Sequence, residues 1–356
     1  MIIKHSHTGF EALRILAMLM IVSLHYLGHG GVLQATPYST NYLLGWFINA
    51  FCKVGVNCYV LISGYFLVKS SDFKIKKACD LWIEVFFYSA GIFLLFYSLN
   101  IIPLSTKGLL KSFLPIKLEA YWFVTAYMGL YILYPYLNKL ITNLSKRDYQ
   151  KFIFVLLGIF SIYSFVGDTF HVVGGSSLIW FIVLYCIGGY FRLFDDFSNK
   201  NKMFLFYVIM SIFIFITKIT LYSIGSHFGF ATKGGSEIFY AYNSPILLCS
   251  SVALFLFFKN VTVDRIWLLH LINFFAPLTF GVYLIHDNDF VRANIWRYWL
   301  NTPAFYDSQY FLLHYIMSVI SVFVICALID KIRQSIFFIS GNMMHTLYER
   351  HRKRMV

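Results

Sequence analysis

The chain has 356 residues, 59% hydrophobic, 20% aromatic and only 13% charged, with a mean hydropathy of +0.69 and a formal net charge of +13. A soluble domain is about a quarter charged and under half apolar, so a soluble globular class is excluded; strands of a transmembrane β-barrel would alternate, and these long unbroken apolar runs do not. The basic charge follows the positive-inside rule, and that placement argues against a nucleic-acid partner.

The apolar runs predict an all-α, polytopic transmembrane helical bundle of about ten spans: 10–28, 43–68, 83–102, 122–141, 152–166, 178–194, 203–223, 244–258, 268–286 and 311–338. The fifth and eighth are short for a hydrocarbon core of ~30 Å. The first run is longer than the apolar stretch of a signal peptide and is taken as a retained span. With the N-terminus inside, 20 of the 29 Lys and Arg fall on the inner side. Six lie in outer loops (Lys107, Lys111, Lys117, Lys233, Arg292 and Arg297), and Arg14, Lys53 and Lys218 lie within spans. This asymmetry predicts cytoplasmic termini and an even number of spans. Residues 1–340 form one transmembrane domain. Residues 341–356 form a basic cytoplasmic tail suited to anionic lipid.

The first span carries an arginine near its start and a histidine far along it. A helix rises about 1.5 Å and turns about 100° per residue, so Arg14 and His25 are separated by roughly 16 Å and only about 20° in azimuth. Met18, Ile21 and Val22 lie between them on that stripe. Ionisable residues inside a span face the bundle interior or a wet cavity, so the pair suggests a polar path. The structural alternative is that Arg14 snorkels and pairs with Glu11 at i, i+3, with His25 an ordinary hydrogen-bonded residue. Imidazole titrates near neutral pH, which makes His25 a candidate general base. His29 follows at i+4, but the Gly28-His-Gly-Gly run is expected to end the helix there, and no metal site is expected.

Further along, Ser63-Gly64 is a small-residue site at which another helix can approach closely. The loop after the second span holds Lys69, Lys74, Lys76 and Lys77, which read as topology signal or as cations for a phosphate-rich ligand. The fourth span opens Glu119-Ala-Tyr121-Trp122, an interfacial aromatic stretch with one carboxylate at its mouth. The ninth ends Tyr283-Leu284-Ile285-His286-Asp287, making His286 a rival base or an interfacial histidine. Six scattered cysteines with no C-x-x-C read as packing residues.

Four of these stretches, in order, resemble the acyltransferase 3 family of integral membrane O-acyltransferases. Arg14 and His25 match its R/K-x(10)-H motif, and Ser63-Gly64-Tyr65-Phe66-Leu67 is similar to its second-span stretch. Trp122-Phe123 with Tyr131 and Pro135 resembles a third motif, and Gly281-x-Tyr283-Leu284-Ile285-His286 a late Y-L-I-H stretch. The resemblance implies a donor acyl-CoA, most simply acetyl-CoA, with no tightly bound cofactor. The acceptor it implies is a hydroxyl of a cell-surface polysaccharide or lipid-linked sugar. The setting would be the cell membrane, bacterial and cytoplasmic, with a homo-oligomer left open.

On that reading His25 is the catalytic base or a transient acyl carrier and Arg14 positions the donor. Lys74, Lys76 and Lys77 take the CoA phosphates, although relatives usually carry arginines there. Glu119, Trp122, Tyr283 and His286 form the acceptor or supporting set. His25 could draw on Glu119, Asp168, Glu237 or Asp287 as carboxylate partner. The rival readings are a glycan exporter or flippase, its charged stripe lining a translocation path, and a polysaccharide polymerase using Arg292 and Arg297.

Overall fold

The computed structural model describes residues 7–70, 72–165, 167–194, 199–228 and 235–352, with side chains to residue 338. The expected basic tail, Lys4 and Lys233 fall outside the described residues or side chains. All regular structure among the described residues is helical. This is what lipid demands, since with no water present each backbone N–H and C=O must be satisfied within its own segment.

Seven stretches are long and apolar enough to cross a membrane: Thr8–His29, Thr40–Leu67, Ile75–Ser98, Lys200–Phe228, Gly235–Lys259, Ile266–His286 and Phe311–Phe338. The other three expected spans are helical but shorter or less apolar. One is Trp122–Ile141, continuous through Pro135. Another is the 17-residue Leu178–Phe194. The third is Lys146–Leu157, which widens into a π-turn over Gly158–Ile162.

In chain order the helices are α1 (Thr8–His29), α2 (Thr40–Cys52), α3 (Gly55–Leu67), α4 (Ile75–Ser98), α5 (Thr106–Phe113), α6 (Trp122–Ile141) and α7 (Lys146–Leu157). They continue with α8 (Leu178–Phe194), α9 (Lys200–Phe228), α10 (Pro245–Lys259), α11 (Ile266–Phe275), α12 (Thr279–His286), α13 (Asp289–Asn294) and α14 (Phe311–Arg352). Two expected spans are thus broken. The second is interrupted at Lys53-Val54 between α2 and α3, and the ninth by the 3₁₀ turn Ala276–Leu278, where Pro277 has no N–H to continue the ladder.

α1 is the hub. It packs against α2, α3, α10, α11, α12 and α14, and Leu13, Ala17, Val22, Tyr26 and Leu27 are fully buried. The outward faces of α9 and α14 expose Leu205, Phe213 and Ile216, and Leu313, Met317 and Ile320, which suits lipid and not water. The small-residue site expected at Gly64 is used. A Cβ there would sit 2.3 Å from the Tyr185 carbonyl oxygen, and one at Gly188 would sit 2.2 Å from that of Leu61, so α3 and α8 meet backbone to backbone. All six cysteines are free thiols.

Candidate active site

α1 runs one residue past the expected break and ends at His29; Gly31, with φ of 88°, turns the chain away. His25 and His29 therefore share a helical face, their ring centroids 5.1 Å apart. Opposite them, α12 ends at His286, and Asp287 and Asn288 occupy the break before α13. This break sets an imidazole and a carboxylate side by side against α1.

His286 is fully buried. Its Nδ1 lies 2.6 Å from the Val282 carbonyl oxygen. A carbonyl only accepts, so Nδ1 carries the proton and the neutral ring must accept through Nε2. His25 Nδ1, 2.9 Å from that Nε2, is then the donor. The tautomers, assigned in this way from their partners, leave Nε2 of His25 as its unprotonated nitrogen. Asp287 Oδ1 is 3.6 Å from His25 Nδ1 and accepts from Arg292 Nη1 at 2.9 Å. Asp289 pairs with Arg292 at 2.5 Å and also with Lys111. Burial pulls against the Arg292 guanidinium, but these carboxylates hold its pKa above the ordinary arginine value.

His25 lines a narrow, largely enclosed cavity of about 270 Å³ running along α1 from His29 down to Met18. Trp122, Phe123, Tyr242 and Tyr283 form its aromatic wall. Trp122 stacks on Tyr242, whose ring also lies 4.5 Å from Lys53 Nζ. Two lining residues each carry a buried polar atom unsatisfied among the described residues, Asn49 Oδ1 and Tyr283 Oη. The Tyr283 hydroxyl lies near Asp287 without completing a hydrogen bond. Buried polar atoms nearly always have partners, so two orphans on residues of one cavity set it apart from ordinary core packing.

The expected site residues separate into two groups. His25, His286, Trp122 and Tyr283 come together. Arg14 does not join them: it pairs with Glu11 at 2.9 and 3.0 Å, as its i, i+3 spacing allows, and it does not line the cavity. The polar stripe is interrupted by a floor of Met18 and Tyr59, whose hydroxyl donates to the Arg14 carbonyl at 2.7 Å. Arg14 instead lies close enough to Lys77 for their charges to act on one another. Lys74, Lys76 and Lys77 are exposed around the start of α4. Glu119 is exposed, in a left-handed turn with φ of 48°, and does not line the cavity. Among the carboxylates weighed as partners for His25, Asp287 has the contact. Sequence reasoning assigns no role to Asn49, Tyr59 or Tyr242; Lys53, a cation inside an apolar run, was the visible signal for that wall.

His25, His29 and Asp287 offer one ligand atom each, all within 4.8 Å of one another, a grouping that could hold a metal ion. His25 Nδ1 already faces His286 and Asp287 Oδ1 already accepts from Arg292. A cation using those atoms would have to displace both contacts and sit beside a guanidinium.

Comparison with known proteins gives one match. The family model for the acyltransferase domain of the acyltransferase 3 family covers residues 7–331, nearly the whole described bundle. No curated protein and no solved structure matches.

Proposed function

The chain belongs to the acyltransferase 3 family, and we propose that it transfers an acyl group, acetyl in the simplest case, from cytoplasmic acyl-CoA to a hydroxyl of an extracytoplasmic or lipid-linked glycan. The observation that carries this reading is the His25–His286 pair at 2.9 Å, which leaves Nε2 as the unprotonated nitrogen of a histidine that lines the cavity and so supports His25 as the base. The acceptor hydroxyl gives its proton to His25 Nε2 as its oxygen attacks the thioester carbonyl. Collapse of the tetrahedral intermediate breaks the C–S bond, and the imidazolium returns the proton to the leaving thiolate, releasing CoA and the ester. His286 holds the working tautomer, in the role an orienting group plays in a catalytic triad. The unpaired Tyr283 hydroxyl is suited to donate to the developing oxyanion.

Arg14, Lys74, Lys76 and Lys77 form the donor end, where cations receive the CoA phosphates. Arg14 acts there on the donor and not on the reacting carbonyl, since it does not line the cavity. The charge asymmetry of the loops supports a cytoplasmic donor end and an outer acceptor end, in the cell membrane.

The test is CoA release from acetyl-CoA by purified protein, together with the mass of surface glycans in cells carrying His25→Ala. Loss of both, in a variant that is made and folded, is expected. Unchanged acetylation by His25→Ala would rule the mechanism out.

A further inference from the structure

A second, wider cavity of about 810 Å³ opens beside the first, and the chemistry above makes no use of it. The two meet at Gly28 and His29, which line both. His29 in turn stands one ring, 5.1 Å, from His25. The wide cavity is thus a vestibule to the reacting nitrogen.

Its charges do not cancel. Arg292 is matched by Asp287 and Asp289, and Lys111 by Asp289. Arg297 lines the vestibule, is exposed, and has no ion pair or hydrogen bond among the described residues. Tyr306 lines the same cavity, and its hydroxyl pKa is raised by burial while the Arg297 charge acts in the opposite sense. Tyr298, next in sequence and 73% exposed, offers a ring face on the same lining. A planar guanidinium matches carboxylate and phosphate oxygens two at a time. An aromatic face beside it suits the apolar side of a sugar ring.

We propose that this vestibule is an acceptor subsite for an anionic sugar, one bearing a carboxylate or a phosphate, with Arg297 holding the anion while a nearby hydroxyl reaches His25. It rests on the acyl-transfer reading and narrows its acceptor class.

The test is equilibrium binding to the full chain in an uncharged detergent. The probes are methyl β-D-glucoside, methyl β-D-glucuronide, glucose 1-phosphate and glycerol 1-phosphate. One of the anionic sugars is expected to bind at least about tenfold tighter than the neutral glucoside, as one charge-assisted contact allows. Arg297→Gln should abolish that preference and Arg297→Lys restore part of it. The glucuronide and the sugar phosphate separate the two anion types. Equal binding of all probes, or a preference that survives in Arg297→Gln, overturns the proposal. Glycerol 1-phosphate binding as well as glucose 1-phosphate overturns it too, because the site then reads as one for a lipid headgroup. CoA release is measured separately. If the anion preference is absent while His25-dependent CoA release persists, only the subsite falls; if the preference is present without CoA release, the acyl-transfer reading falls.

Discussion

His25 and His286 stand 261 residues apart in sequence and 2.9 Å apart in space, joined through Nδ1 of one and Nε2 of the other. His286 has both nitrogens engaged, so its contribution to chemistry passes through His25. His286→Ala should therefore leave the base in place but release its tautomer and orientation. We expect kcat for CoA release to fall by about 10–100-fold with KM for acyl-CoA little changed. His25→Ala should cost the full ~10²–10⁴-fold of a general base. Equal losses in kcat would mean that His286 does more than orient.

Tyr283 separates packing from chemistry. Its hydroxyl has no hydrogen-bond partner among the described residues, while its ring packs against Phe123 and Tyr121. Tyr283→Phe keeps the ring and should leave thermal unfolding in detergent unchanged. If the hydroxyl meets the oxyanion, kcat should fall by about 10²-fold. Wild-type turnover by this variant would remove Tyr283 from the reaction.

The basic end admits a test by charge and salt. Lys74, Lys76 and Lys77 are exposed, so they act on a ligand as screened point charges. Replacing all three with Gln should raise KM for acetyl-CoA by about tenfold while kcat holds. The wild-type KM should rise with ionic strength more steeply than that of the triple variant. Matching salt profiles would return these lysines to a purely topological role.

Much of this was legible in one dimension. Apolar runs placed the helices because lipid leaves the backbone no other means of satisfying itself. That Arg14 and His25 share one helix was legible too, but the polar path expected between them was not found, because Arg14 turns to Glu11 and does not line the cavity. The gaps lay where one helix meets another. That Asp287, and not Glu119, Asp168 or Glu237, faces His25 depends on how α12 lies against α1, and no periodicity encodes that. The floor made by Tyr59 was hidden for the same reason: its bond to the Arg14 carbonyl crosses 45 residues. Lys53 and Pro277 each stand at a break within an expected span, a break that hydropathy averages away.

On the other side of α12 from His286, Asp330 of α14 packs against Gly281. Asp330 is fully buried and accepts from Tyr88 Oη at 2.8 Å, Arg333 Nε at 2.7 Å and Gln334 Nε2 at 3.0 Å; Arg333 also reaches Glu84 at 2.8 Å. Gly281 of α12 lies so close that a Cβ there would fall 2.2 Å from Asp330 Cγ. Asp330→Ala leaves a largely buried guanidinium with one carboxylate in place of two, and should destabilise the bundle by about 3–5 kcal/mol. Gly281→Ala should destabilise it by about 1–3 kcal/mol through overlap. Asp330→Ala removes the Cγ and Oδ1 that the added methyl group would meet at 2.2 and 2.4 Å but keeps the Cβ at 2.6 Å, so the two costs should add only in part. The double variant should unfold in detergent somewhat below Asp330→Ala alone but above the sum of the two costs, with a coupling of about 0.5 kcal/mol or more. Strict additivity would show that Gly281 is small for some reason other than this contact.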